Sequence, residues 1–241
     1  MTPADRPADV GLLLSGGLDS AILLGHLLAA GRTVQPFYVR AHLHWEAVEE
    51  RAARRFCQAM ACPALAEMVA LEMPVGDLYR NHWSVTGKQV PDASTPDEAV
   101  YLPGRNALLV IKAALWCQLH GIRELALAPL SSNPFADASD DFFATFEAAL
   151  NLAGEGSLRV VRPFGHLHKR DVMLLGRGMP LELTMSCIAP VGDEHCGHCN
   201  KCAERIEAFR SAGLPDPTPY AAPPSSTHAS QPLRGVADSH G

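Results

Sequence analysis

Two groups of residues in this 241-residue chain have the types and spacing for chemistry. The first is Ser15-Gly16-Gly17-Leu18-Asp19-Ser20. Two glycines let a backbone turn sharply and approach a ligand. Backbone N–H groups at the start of a following helix, with the Ser15 and Ser20 hydroxyls, suit phosphate oxygens. The segment lacks the spacing and the lysine of the Gly-x-x-x-x-Gly-Lys-Ser/Thr loop, so it is not that phosphate loop. The alternative is a Gly-Gly turn capped by serines. The second group is Cys187-x8-Cys196-x2-Cys199-x2-Cys202. Four thiolates complete a tetrahedral zinc shell and leave no open position, which predicts one structural zinc per chain. His195 and His198 are reserve ligands, and redox-active thiols are the alternative reading. Cys57, Cys62 and Cys117 read as buried apolar residues.

The elements that must position these groups alternate. An apolar run over 10–15 predicts a strand covered on both faces, and 20–29 a helix that stops at Gly31. Strands are expected over 33–39, 65–71, 124–128 and 158–161, and helices over 45–60, 105–120, 140–152 and 169–177. Strands alternating with helices imply a doubly wound parallel α/β sheet, Rossmann-like, with ligand at the carboxyl ends of its strands. The expected division is a nucleotide-binding body over 1–185, a small zinc-binding appendage with a helix over 186–213, and a disordered tail over 214–241, where Pro, Ser, Ala, His and Gly replace periodicity. The polar stretch 73–101 is too long for an ordinary connection and reads as an active-site loop, a lid or a simple insertion.

Composition narrows the function. Hydrophobic residues make up 47% and charged residues 19%, as in a globular protein. A net charge of −6 supplies no bulk positive field for a nucleic-acid backbone. No apolar run is long enough to span a membrane and the first residues lack the order of a secretory signal, so a cytoplasmic protein is expected. The pairs His42/His44 and His166/His168 have no evident third ligand and are assigned no metal.

The glycine-serine segment resembles the loop of the ATP pyrophosphatases. Together with the four cysteines and Leu102-Pro103-Gly104-Arg105-Asn106, it resembles the 7-cyano-7-deazaguanine synthase family of the queuosine precursor pathway, over roughly residues 9 to 213. The resemblance implies an ATP-dependent carbon–nitrogen ligase. The carboxylate of 7-carboxy-7-deazaguanine is adenylated, ammonia displaces AMP to give an amide, and a second activation dehydrates the amide to the nitrile. ATP with Mg²⁺ and a structural Zn²⁺ are the implied cofactors; the small carboxylate and ammonia are the implied partners, and a homodimer is compatible with the reading.

On this resemblance Leu14, Ser15, Gly16, Gly17, Leu18, Asp19 and Ser20 hold pyrophosphate, and Asp19 assists a phosphate-bound Mg²⁺ or caps its helix. Backbone near Tyr38 and Val39 receives adenine. Arg105 meets phosphate or carboxylate oxygens with Asn106 as a neutral donor beside it, and Lys169 neutralises phosphate charge. Asp19, Arg105 and Lys169 are thus the catalytic candidates. Trp45, Glu46 and Glu49 match a segment after the second strand only loosely. The loop Asn133-Pro134-Phe135-Ala136-Asp137-Ala138-Ser139 lacks the tyrosine and arginine of relatives. Phe135 could stack on a flat heterocycle and Asp137 accept from its N–H groups, or the two serve packing and capping. A different acceptor, such as a tRNA base, a protein or another small molecule, and a non-catalytic nucleotide sensor are the competing readings.

Overall fold

A computed structural model describes residues 7–154 and 157–223. Among the described residues five parallel strands form one sheet: β1 (Val10–Leu13), β2 (Val34–Arg40), β3 (Val69–Glu72), β4 (Glu124–Ala126) and β5 (Arg159–Val161), in the order β3-β2-β1-β4-β5. The strand order reverses beside β1, where the chain leaves β1 for β2 on one side and later returns through β4 on the other. In sheets of this kind that reversal opens a crevice at the carboxyl ends of the strands.

The helices are α1 (Leu18–Ala29), α2 (Glu46–Ala59), α3 (Gly76–Tyr79), α4 (Trp83–Thr86), α5 (Arg105–Leu119), α6 (Asp140–Ala153), α7 (Lys169–Leu175) and α8 (Asn200–Ala212). Both faces of the sheet are covered, as the continuous apolar runs of β1 and β2 require. On one face Ile22 and Leu23 of α1, Phe56 of α2, Val172 and Met173 of α7 and Phe209 of α8 pack into one cluster. On the other, Val110, Ala113 and Cys117 of α5 meet Phe143 and Leu150 of α6 against Phe37 and Leu125 of the sheet. The expected alternation and the doubly wound parallel fold are present, with element ends shifted by a few residues.

A third cluster belongs to the cysteine segment. Cys187, Cys196, Cys199 and Cys202 share it with Leu43 and Trp45 before α2, with Val75 and Val100 from the long polar stretch and with Leu102 just after it. That stretch folds as α3, α4 and a 3-10 turn over Asp97–Val100. It is tied down by hydrogen bonds from Asn200 N to Pro91 O, from Ala93 N to His198 O and from Asn200 Nδ2 to Thr95 O, and Trp45 stacks on Trp83. It is therefore a docked partner of the cysteine segment.

Composition assigned everything from residue 214 to a disordered tail, and residues 214–223 correct this. Arg205 Nε donates to Thr218 Oγ1 at 2.7 Å, Tyr220 OH donates to Asp216 Oδ2 at 2.8 Å, and Ala221 N donates to His195 O at 2.8 Å. The segment lacks periodicity because it wraps back over the cysteines as an extended strap, held by polar bonds and by single apolar contacts from Leu214 and Tyr220 to the core clusters. The rest of the expected tail, 224–241, lies outside the described residues. Among the described residues no helix is long and apolar enough to cross a membrane.

Candidate active site

The turn between β1 and α1 is shaped by one glycine. Gly16 has φ +80°, and a Cβ there would lie 2.7 Å from the carbonyl oxygen of Glu49, so a side chain is excluded twice, by conformation and by space. Inside the turn Ser15 N donates to Ser20 Oγ at 3.2 Å, Ser20 Oγ donates to Gly17 O at 3.2 Å, and the two serine hydroxyls lie 3.1 Å apart. Leu14 and Leu18 are buried in the core and anchor the turn from beneath. Met185 N donates to Gly16 O at 2.8 Å, which joins the turn to the chain just before Cys187.

The turn opens on a cavity of about 310 Å³, lined among others by Ser15, Gly17, Asp19, Glu49, Arg105 and Lys169. Its position past the ends of β1 and β4 is the crevice the topology defines: Leu13 closes β1, and Leu127 and Ala128 follow β4. A second cavity of about 610 Å³ shares Asp19, Asn133, Lys169, Lys201 and Glu204 with it and extends to Phe135, Asp97 and Arg210.

Four cations line the smaller cavity: Arg105, Lys169, Lys201 and Arg205. Lys169 Nζ donates to both carboxylate oxygens of Asp19, at 2.8 and 2.9 Å, and lies 3.8 Å from Glu204. Burial opposes its charge, but attraction to Asp19 and Glu204 outweighs that and holds its pKa above the usual lysine range. Lys201 pairs with Glu204. Arg205 is fully enclosed, and its guanidinium donates to Thr218 Oγ1, Thr184 Oγ1, Ser186 Oγ and Leu181 O. Arg105 differs from the other three. Its side chain makes no ion pair or hydrogen bond among the described residues, and its buried Nε is an unpaired donor. A cation left unpaired at the wall of a cavity is built to receive an anion.

Glu49 stands at the same wall. Its Oε2 accepts from Tyr38 OH at 2.8 Å. Burial pushes its pKa up to about 7, against the opposing pull of Arg105 and of its hydrogen bonds from Tyr38 and Trp45. The Tyr38 hydroxyl is correspondingly held far above the usual tyrosine range by burial and by the Glu49 charge.

The remaining sequence-derived residues divide. Asp19, Arg105, Asn106 and Lys169 meet at the cavity with the turn. Tyr38 and Val39 are buried strand residues that line neither cavity; Tyr38 reaches the site only through Glu49. Asn106 lines the cavity, but its backbone N donates to Asp137 Oδ2 at 3.1 Å and its Nδ2 to Asp137 O at 2.9 Å. Asp137 is thereby buried at the first turn of α5 and is absent from both cavity walls, so its carboxylate satisfies a helix end where substrate contact was expected. Phe135 does line the larger cavity, with its ring stacked on Tyr101 at 4.7 Å between centroids.

Sequence reading missed Glu49 as a wall residue and Arg205 as a hub. Both carried a signal. Glu49 sits three, four and seven residues before Ala52, Ala53 and Phe56, the buried stripe of α2, and Arg205 lies between Cys202 and Phe209 on the buried stripe of α8. A charged residue at a buried helical position needs a partner or a function.

The cysteines meet the geometric test for a metal. All four Sγ atoms lie within 4.8 Å of one another, with Cys187–Cys199 and Cys196–Cys202 at 3.8 Å. A tetrahedral shell with Zn–S near 2.3 Å places sulfurs about 3.8 Å apart. Ala189 N and Cys196 N donate to Cys187 Sγ, and Cys199 N donates to Cys196 Sγ, each at 3.3 Å, the outer contacts that orient thiolate ligands. Gly197, at φ +83°, makes the tight turn between Cys196 and Cys199, and a Cβ there would strike Ala222 O at 2.5 Å. His195 is not needed as a ligand: its Nε2 accepts from Ser186 N at 3.1 Å, and burial drops its pKa to about 3. The four thiolates fit zinc with no open position. Met185, Ser186 and Ile188, flanking Cys187, line the cavity, so the metal segment holds up part of its wall.

A glycine turn at the reversal point of a parallel sheet, sharing a cavity with an unpaired arginine and backed by four clustered cysteines, defines the class: a PP-loop α/β enzyme with a four-cysteine site that fits zinc. The family model described as "Queuosine biosynthesis protein QueC" matches residues 10–213, and the chain belongs to that family. It is 32% identical to the 7-cyano-7-deazaguanine synthase of Syntrophobacter fumaroxidans, covering 87% of this chain and 94% of that protein. It is 30% identical to that of Acidobacterium capsulatum, covering 92% and 99%. Among solved structures, the NMN synthetase of Francisella tularensis aligns over 89% of this chain and 82% of that one, with 14% identity and a TM-score of 0.42.

Proposed function

We propose that the chain is a 7-cyano-7-deazaguanine synthase, which uses ATP and ammonia to convert 7-carboxy-7-deazaguanine to the nitrile through an acyl adenylate. The observation that carries this reading is the free guanidinium of Arg105 on the wall that faces the Ser15–Ser20 turn. A carboxylate is a poor electrophile. Bringing it against the α-phosphate of ATP sets two anions together, and a fixed cation with planar, paired donors offsets that repulsion.

In this reading the turn and its backbone N–H groups take the departing pyrophosphate, and Ser15 and Ser20 exchange their mutual hydrogen bonds for phosphate oxygens. Asp19 would hold a Mg²⁺ brought by the nucleotide, the metal supplying charge neutralisation on the phosphates, and Lys169, whose Nζ donates to both Asp19 oxygens, would stand beside it to meet phosphate charge. The larger cavity, with Phe135 on its wall, receives the flat deazapurine. The relatives' activity as 7-cyano-7-deazaguanine synthases and the family match support the overall conversion.

Product analysis tests the reading. Purified protein given ATP, Mg²⁺, ammonium and 7-carboxy-7-deazaguanine should release AMP and pyrophosphate in step with the nitrile. AMP release that ignores the acid would move the activity to another acceptor, and no nucleotide cleavage with any carboxylate would end the enzymatic reading.

A further inference from the structure

We propose that Glu49 is the proton acceptor for the incoming ammonium, delivering neutral ammonia to the activated acyl carbon at the wall of the phosphate cavity; the proposal rests on the acyl-adenylate reading above. At neutral pH ammonium is the dominant form, and its nitrogen has no free electron pair. A crevice that attacks with ammonia therefore needs a group that first draws the cation in and then takes its proton.

Glu49 is placed and equipped for this. It shares one cavity wall with Arg105 and with Ser15 and Gly17 of the turn, so a nitrogen held by its carboxylate lies in the compartment where an acid activated on the α-phosphate would sit. Its donors are neutral: Tyr38 OH on β2 at 2.8 Å and the Trp45 indole at the start of α2. No ion pair among the described residues includes it. The charged groups that face it are Arg105 from α5, which favours its anion, and Glu46 from α2, which disfavours it. Lys169, Lys201 and Glu204 stand elsewhere on the same cavity wall, already paired among themselves and with Asp19. The result is a partly buried carboxylate whose affinity for a proton lies near neutrality, the range in which a group can both hold an ammonium ion and accept its proton. Asp19 and Glu204, the other wall carboxylates near the turn, are occupied by lysines and lack this freedom.

The step balances. One ammonium proton passes to a Glu49 oxygen, and the released electron pair forms the C–N bond to the acyl carbon. The bond from that carbon to the AMP oxygen breaks with its electrons on the phosphate. The second excess proton on nitrogen leaves with AMP, and Glu49 returns its proton to solvent.

The test compares two nucleophiles in one variant. Hydroxylamine is already neutral at pH 7 and needs no proton acceptor before it attacks. Glu49→Gln keeps the shape of the side chain and its ability to accept from Tyr38 and Trp45. With ATP and the acid, the variant should lose about 100-fold or more in ammonia-dependent product at pH 7, while its hydroxamate formation falls at least tenfold less. Its ammonia-dependent rate should climb as pH rises toward the ammonium pKa, where the wild type levels off near neutrality. Equal losses with both nucleophiles would overturn the proposal and assign Glu49 to support of the Gly16 turn; an undiminished ammonia rate would overturn it as well. Acid-dependent exchange of labelled pyrophosphate into ATP by the wild type, run without any amine, separates the two levels: its absence would remove the adenylate reading and this proposal with it.

Discussion

Replacing Arg105 by Gln removes a cation of the phosphate cavity whose side chain makes no hydrogen bond or close ion pair among the described residues, and the structure sets the size of both consequences. Folding should hardly notice. No side-chain hydrogen bond or ion pair is broken among the described residues, Gln is nearly as good a helix former as Arg, and the melting temperature is expected to move by no more than about 2 °C. Catalysis should notice strongly. A hydrogen bond to a charged group contributes about 1.5–3 kcal/mol, and a guanidinium facing phosphate or carboxylate oxygens offers two in parallel. Allowing for replacement of part of that by water, about 3–4 kcal/mol of transition-state stabilisation is lost, or roughly 100- to 1000-fold in kcat/KM. Arg105→Lys keeps the charge without the planar fork and should recover only part of the loss. Arg105 also lowers the proton affinity of Glu49, so the acidic limb of the pH–rate profile should move to higher pH in the Gln variant. Steady-state AMP formation and a thermal melt give both numbers. Activity within threefold of wild type, or a melting temperature lowered by many degrees, would refute the reasoning.

Three further outcomes follow from the same geometry. Gly16→Ala forces a side chain into a left-handed conformation against Glu49 O and should cost about 1–2 kcal/mol or more in a denaturant titration, with activity lost through distortion of the turn. Cys199→Ser should reduce bound zinc, measured by elemental analysis, from one ion per chain to near none and lower the melting temperature; full metal content with unchanged stability would remove the tetrathiolate assignment. Lys169→Met leaves Asp19 unpaired, for a partly buried pair about 1–2 kcal/mol. Because folding raises the Lys169 pKa, that contribution is complete below the unfolded lysine value near 10.4 and fades as pH rises through the higher folded value. The stability gap between wild type and variant should thus be constant from pH 7 to 9 and close in strong alkali.

The sheet and the turn were legible because each rests on local rules. Val10–Leu13 is a short apolar run that can only be a strand covered on both faces, and Gly16 follows it where the backbone must reverse. The cysteines were legible because metal spacing is local too. What escaped depends on contacts across the chain. Asp137 was left between substrate contact and capping because nothing nearby showed that Asn106, 31 positions earlier, would bond to it. The backbone near Tyr38 and Val39 was offered to adenine by the usual habit of the fold; the turn of the Tyr38 hydroxyl to Glu49, 11 positions on, is a contact no local pattern shows. Residues 214–223 read as tail since a strap held by Thr218, Tyr220 and two backbone bonds leaves no hydrophobic period. The stretch 73–101 owes its order to the cysteine segment it packs against, a partner 90 or more positions away for Asn200 and Thr95. Glu49 and Arg205 were visible as charges on buried stripes, but their partners were not.

Isotope transfer tests the central claim most directly. With 7-carboxy-7-deazaguanine labelled by ¹⁸O in its carboxylate, adenylation makes one carboxylate oxygen the bridge to the α-phosphate, so AMP released on amide formation should carry one ¹⁸O, read by mass spectrometry. AMP that forms at the full rate with no label, or label found in inorganic phosphate, would contradict transfer of the adenylyl group to the acid.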